Sequence, residues 1–185
     1  MGAMTMKQTS RARVLADRVF SEHLHQIREV HIEVESVLQS LAALLDENPC
    51  ARCSDVCCKE GLCRESIDSD FLRFVLGARV DDYSVSAGWD VPGSGCRLSY
   101  GRPLVCYEFF CEKFDAQEVD PIRQVSRAFK AAYANAFAGQ HILVVDDISR
   151  ISAHAQRRML GRIETVRDQA NAALRHALRA RLGTT

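Results

Sequence analysis

Eight cysteines fall between residues 50 and 111, with none elsewhere, so thiolate chemistry is the first chemistry this chain could do. Cys50, Cys53, Cys57, Cys58 and Cys63 are crowded as C-x2-C-x3-C-C-x4-C, and Cys96, Cys106 and Cys111 follow as C-x9-C-x4-C. A C-x2-C turn holds two sulfurs on one side of a tight loop, and thiolates at such separations can converge on a soft cation or an iron–sulfur cluster. All eight are candidate metal ligands. An all-sulfur donor set excludes magnesium and calcium and suits zinc or an iron–sulfur cluster. Side chains of adjacent residues diverge, so Cys57 and Cys58 are expected in separate sites. One division gives Cys50, Cys53, Cys57 and Cys63 to a first site and Cys58, Cys96, Cys106 and Cys111 to a second. Structural zinc commonly uses two C-x2-C knuckles. A single knuckle with a doublet and longer gaps tilts the balance toward a cluster, and zinc stays open. The spacing is neither the C-x3-C-x2-C of radical enzymes using S-adenosylmethionine nor the bacterial ferredoxin run.

Arg102 is the expected cofactor-binding neighbour of these sulfurs. Four thiolates around a divalent cation leave a net negative site, and a guanidinium in the turn fixed by Pro103 can donate hydrogen bonds to sulfur. A metal-dependent enzyme would also need an acid or base beside an open metal position. Asp90, Tyr100, Arg102, Glu108 and Glu112 are nearest in sequence, and each reads as a surface or supporting group. No Ser-His-Asp, Cys-His or H-E-x-x-H arrangement specifies a catalyst. Asp81-Asp82 reads as a solvated turn rather than a hard-cation site, and Gly93-Ser94-Gly95 lacks the following helix of a phosphate-binding loop.

Composition narrows the class. Formal net charge is zero, hydrophobic residues make up 47% and charged residues 26%, as in an ordinary globular protein. No run approaches the ~18 apolar residues of a membrane span. The first four residues read as an expression scar ahead of a natural start, and no export signal follows, so a reducing cytoplasmic setting is expected and with it metal ligation rather than a disulfide framework.

The cysteine pattern, with Gly95-Cys96-Arg97-Leu98, Arg102-Pro103-Leu104-Val105-Cys106 and Phe109-Phe110-Cys111, resembles the YkgJ-type cysteine-cluster proteins, the CxxCxxCC zinc- or iron-chelating domain. The resemblance covers about residues 50–115. It departs from that family in having x2 then x3 in the first gaps and an extra cysteine at 63, which bears on whether Cys57, Cys58 and Cys63 all ligate. It implies a bacterial metal- or cluster-binding protein. Flagellin lysine N-methylase carries a similar motif, but this chain has no recognisable S-adenosylmethionine-binding motif to go with it.

The elements that must hold these residues are helical. Phe20, Leu24, Ile27, His31, Val34, Leu38, Leu41 and Leu45 form a heptad seam in a helix over 10–47, widened by Val30, Val37 and Leu44, and Asn48-Pro49 ends it. His31 reads as a hydrogen-bonded core-edge histidine rather than a ligand, with His23 and His25 solvated. Loops and one short turn are expected over 50–63. A helix is expected from Glu65 to Arg79, capped by Ser66 or Ser69 and burying Ile67, Phe71, Phe74 and Val75. A hairpin turning at Tyr100-Gly101-Arg102-Pro103 would set Cys96 beside Cys106 on neighbouring strands. Asp120-Pro121 predicts a helix start, with Ile122, Val125, Phe129, Tyr133 and Ala136 on one face up to Gly139. The apolar run 141–145 suits strand or helix. A last helix from Ser149 to Leu182 carries a stripe from Ile151 to Leu178 and an arginine-rich outer face. That face reads as charge complementarity within the protein, because no aromatic residues interleave it as in a nucleic-acid site.

The expected architecture is therefore mainly α, a single domain over 1–185. A long-helix bundle is built from a helix over 10–48 and a helical part over 116–183. Between them lies a small cysteine-rich metal-binding lobe, 49–115, containing a short β-hairpin. The expected function is metal binding, as iron–sulfur cluster or zinc, in an accessory, redox or binding role that admits a protein partner. The alternative is a metal-dependent transferase or redox enzyme. Neither membrane nor nucleic acid is expected as a partner.

Overall fold

A computed structural model describes residues 22–45, 60–86, 88–91, 95–108, 114–134, 148 and 151–183. The expectations for 10–21, for 46–59, for 141–145, and for Cys50, Cys53, Cys57, Cys58, Cys111 and Glu112 fall outside them. What is described is mainly helical, and no described helix is long and apolar enough to cross a membrane.

The heptad seam makes helix α1, Glu22–Ala43, with Leu24, Ile27, His31, Val34, Leu38 and Leu41 all buried. Val30 and Val37 are buried as well, because α1 is covered on more than one side. It ends at Ala43, earlier than Asn48-Pro49 requires, so the proline is not what stops it. Helix α4, Ala116–Ala134, contributes Val119, Ile122, Val125, Phe129 and Tyr133 to the same core, and helix α5, Ala153–Leu182, contributes Met159, Ile163, Val166 and Ala170. Helices α1 and α5 run side by side in the same direction: Arg167 Nη1 lies 3.5 Å from Glu33 Oε2, and further along both helices Arg181 Nη1 donates to Leu44 O at 2.7 Å.

Two helix starts differ from expectation for one reason, the capping side chain. Asp115 Oδ1 accepts from Gln117 and Glu118 N–H, so α4 begins a turn before Asp120, and Pro121 stands inside the helix. Ser152 Oγ accepts from Ala155 N–H, so α5 starts at Ala153 rather than near Ser149. It closes at Gly183, whose φ of 64° is left-handed.

The expected helix over 65–79 is instead three pieces. Helix α2, Glu60–Asp68, stops at Ser69, whose hydroxyl caps helix α3, Asp70–Leu76, by accepting from Leu72 N–H. A 3-10 segment follows over Gly77–Asp82. Arg28 of α1 donates from Nε to Phe74 O at 2.9 Å and from Nη2 to Val75 O at 3.3 Å, so a cation satisfies the last carbonyls of α3.

The expected hairpin at 100–103 is not formed. Strand β1, Asp90–Val91, pairs antiparallel with β2, Gly95–Cys96, and Cys96 stands opposite Asp90 rather than beside Cys106. Cys106 lies in a 3-10 turn, Leu104–Tyr107. That turn buries Leu104, Val105 and Tyr107 together, which an alternating strand would not do. Cys63, Leu76, Trp89 and Leu98 make a second, smaller core, with Tyr83 and Cys96 packed against it.

Candidate functional site

Three of the eight candidate ligands are described, and all three are thiols. Cys63, on α2, is buried. A Cβ added at Gly88, where φ is +58°, would stand 2.8 Å from Cys63 Cβ and 3.0 Å from its Sγ, so only glycine lets the backbone approach this closely. Trp89 Nε1–H donates to Cys63 O at 3.2 Å. Cys96 and Cys106 are both half-buried. Among the described residues, no three histidine, cysteine or acidic side chains are placed to hold one ion.

Between Cys96 and Cys106 lies Arg102, half-buried and heavily bonded. Its Nε donates to Leu98 O at 2.8 Å, its Nη2 donates to the same carbonyl, and Nη2 also reaches Cys96 O at 3.5 Å. With the Gln39 amide turned so that its oxygen faces the guanidinium, Nη1 and Nη2 donate to it at 3.0 and 3.3 Å. The bonds described here run to carbonyl oxygens, where the sequence suggested sulfur. Burial pulls the Arg102 pKa down, but the acidic groups around it, Tyr107, Cys96, Glu35 and Cys106, outweigh this and hold the proton more tightly than in a free arginine. Both sulfurs are thus within electrostatic reach of one fixed cation.

The anchor beneath this turn is a residue that sequence reasoning passed over. Glu35, fully buried on α1, accepts Gly101 N–H on Oε2 at 2.6 Å, Arg102 N–H on Oε1 at 3.0 Å and Tyr107 O–H on Oε1 at 2.7 Å. One turn back on the helix, His31 is also fully buried, with Nδ1 2.7 Å from Tyr133 Oη. His31 Nε2 lies 3.1 Å from Glu35 Oε2 but out of line for a hydrogen bond, so that contact is electrostatic proximity only. His31 is the hydrogen-bonded histidine the seam suggested, set more deeply than at a core edge.

Glu108 and Tyr100, both near the described cysteines, have partners of their own. Lys130 Nζ lies 2.7 and 2.8 Å from the two oxygens of Glu108. The Arg79 guanidinium lies over the Tyr100 ring at 5.1 Å. Asp90 is in β1.

No family model, curated protein or solved structure matches this chain. The residues themselves therefore carry the functional reading.

The buried phenols make one pH dependence testable. Burial first, and the Glu35 charge second, raise the Tyr133 hydroxyl well above the usual tyrosine value. A raised native pKa favours the protonated phenol, so its contribution to stability is fully present below about pH 10 and is lost as pH rises further, by up to about 1.4 kcal/mol per pH unit. Urea midpoints measured from pH 8 to 11.5 should fall above about pH 10, and fall less steeply in Tyr133→Phe. The slope is the diagnostic, because the variant also loses its bond to His31 at every pH.

Proposed function

We propose that this protein binds a thiophilic metal, as an iron–sulfur cluster or zinc, through a cysteine-rich lobe with a short β-hairpin, in an accessory, redox or binding role. The observation that carries the reading is the pair Cys96 and Cys106, both thiols, at either end of a turn whose Arg102 cation lies within electrostatic reach of both. Cys50, Cys53, Cys57, Cys58, Cys63 and Cys111 supply the remaining sulfurs of the pattern. The donor chemistry fits: soft sulfur ligands, with a guanidinium placed to offset the excess negative charge of a thiolate site. When bound, zinc would cross-link the lobe, and a cluster would add one-electron chemistry. Cys63 and Cys96 border the same small core.

Anaerobic purification followed by elemental analysis and a visible spectrum tests this. Iron with acid-labile sulfide and a broad band near ~400 nm identifies a cluster on thiolates. Stoichiometric zinc in a colourless protein identifies a structural zinc site. Loss of the bound metal in Cys106→Ser should accompany either result. A protein that carries no metal, and takes up neither iron with sulfide nor zinc, overturns the proposal.

A further inference from the structure

Glu35 belongs to α1, yet the three hydrogen bonds its carboxylate accepts all come from one stretch of chain, 101–107. That stretch is pinned at almost every step from Cys96 onward. Arg97 N–H donates to Trp89 O at 2.7 Å, the Arg102 side chain donates to Leu98 O and Cys96 O, and Cys106 N–H donates to Pro103 O at 2.9 Å. Gly101 and Arg102 N–H, and then the Tyr107 hydroxyl, fasten the turn to Glu35. The two cysteines therefore leave a segment whose path is set by the helical core.

A buried carboxylate is costly to desolvate, and a core in which it and its partners are all replaced by apolar groups of similar volume is often as stable or more so. Its distinctive contribution is directional: two backbone N–H groups and a phenol must point at one spot, which fixes where the flanking residues start. Ligands ordered before the metal arrives lose less conformational freedom on binding, so the complex is tighter and releases its ion more slowly. We infer that Glu35 is a positioning residue, which holds Cys96 and Cys106 from the helical core in the geometry from which they ligate the metal. The inference rests on the thiolate-site reading above.

The test uses the full chain loaded anaerobically with Zn²⁺ alone, and separately with Co²⁺ alone. Release of zinc to an excess of chelator is timed at a temperature where every variant is folded. Glu35→Gln keeps the shape and one acceptor but loses the charge and the second acceptor oxygen. It is expected to release zinc about tenfold faster than wild type and to alter the visible spectrum of the Co²⁺ form. Ile163→Ala removes core packing on α5 and should leave both readouts at wild-type values, which separates positioning from general loss of stability. Should Glu35→Gln fail to fold, Tyr107→Phe decides, since it deletes one donor to the carboxylate: faster release supports the inference and wild-type release overturns it. Glu35→Gln behaving like Ile163→Ala overturns the inference and leaves the metal reading standing. A wild-type chain that binds neither ion overturns the inference, and one that also takes up no iron with sulfide overturns the metal reading with it.

Discussion

Glu35→Ala is expected to cost about 3–5 kcal/mol of stability, the lower part of what three stranded buried donors at about 1–3 kcal/mol each would cost. At this chain length, that is a fall in Tm of roughly 6–20 °C. Two effects could produce such a loss, and they can be told apart. Truncation leaves a small cavity, and it also leaves Gly101 N–H, Arg102 N–H and the Tyr107 hydroxyl without their acceptor. Each unsatisfied buried donor costs about 1–3 kcal/mol, whereas the lost methylenes are worth about 0.8 kcal/mol each. The polar term should win. Glu35→Met refills the volume and restores no acceptor, so its cost should stay within about 1 kcal/mol of the alanine variant. Thermal or urea unfolding of both variants checks this, and a methionine variant near wild-type stability would show that packing, not the carboxylate, is what Glu35 supplies.

Glu35 also shows where the sequence is legible and where it is not. The seam of α1 is periodic, so Leu24, Ile27, His31, Val34, Leu38 and Leu41 could be assigned to a core from spacing alone, and all are buried. Glu35 carried a signal too: an acid four residues after His31, inside that apolar face. Its partners were beyond reach, because Gly101, Arg102 and Tyr107 lie more than sixty residues away and only the tertiary fold brings them to it. The stripe of α5 was legible in its middle, where Ile163, Val166 and Ala170 are buried, but Met159 rather than Leu160 is the buried residue a turn earlier, and Leu178 at the far end is exposed. Local chemistry with two meanings is less legible. Ser69 can sit within a helix or start one, and the apolar positions Ile67, Phe71 and Phe74 keep helical spacing across the break, so one helix was expected where there are two. Asp120-Pro121 has the form of a helix start, but Asp115 caps a turn earlier. For the cysteines, the sequence gives number and spacing, while the described geometry reaches Cys63, Cys96 and Cys106.

Gly101→Ala should be nearly as damaging as loss of Glu35, through sterics rather than polarity. Gly101 has φ of +79°, a conformation that costs an L-residue roughly 1–2 kcal/mol. A Cβ there would also stand 2.6 Å from Leu76 Cδ2 and 2.7 Å from its Cγ, well inside contact distance. Leu76 is the last residue of α3, nearly fully buried in the small core with Cys63, Trp89 and Leu98, so it cannot swing aside without disturbing them. Forcing extra volume into a packed site typically costs about 1–3 kcal/mol, which brings the expected total to about 2–5 kcal/mol. If the turn shifts instead to relieve the clash, Gly101 N–H moves off Glu35 Oε2, and the same order of stability is lost by another route. The two contributions separate in a double-mutant cycle with Leu76→Ala. Shortening Leu76 removes the atoms that the new methyl would strike but leaves the backbone angle unchanged. The double variant should therefore be more stable than the sum of the single effects by about 1–3 kcal/mol, yet remain below Leu76→Ala alone by the roughly 1–2 kcal/mol of the left-handed backbone. Strict additivity in urea unfolding would mean that Leu76 does not confine this turn. A Gly101→Ala protein as stable as wild type would mean that the turn does not require the left-handed conformation through which it presents its N–H groups to Glu35.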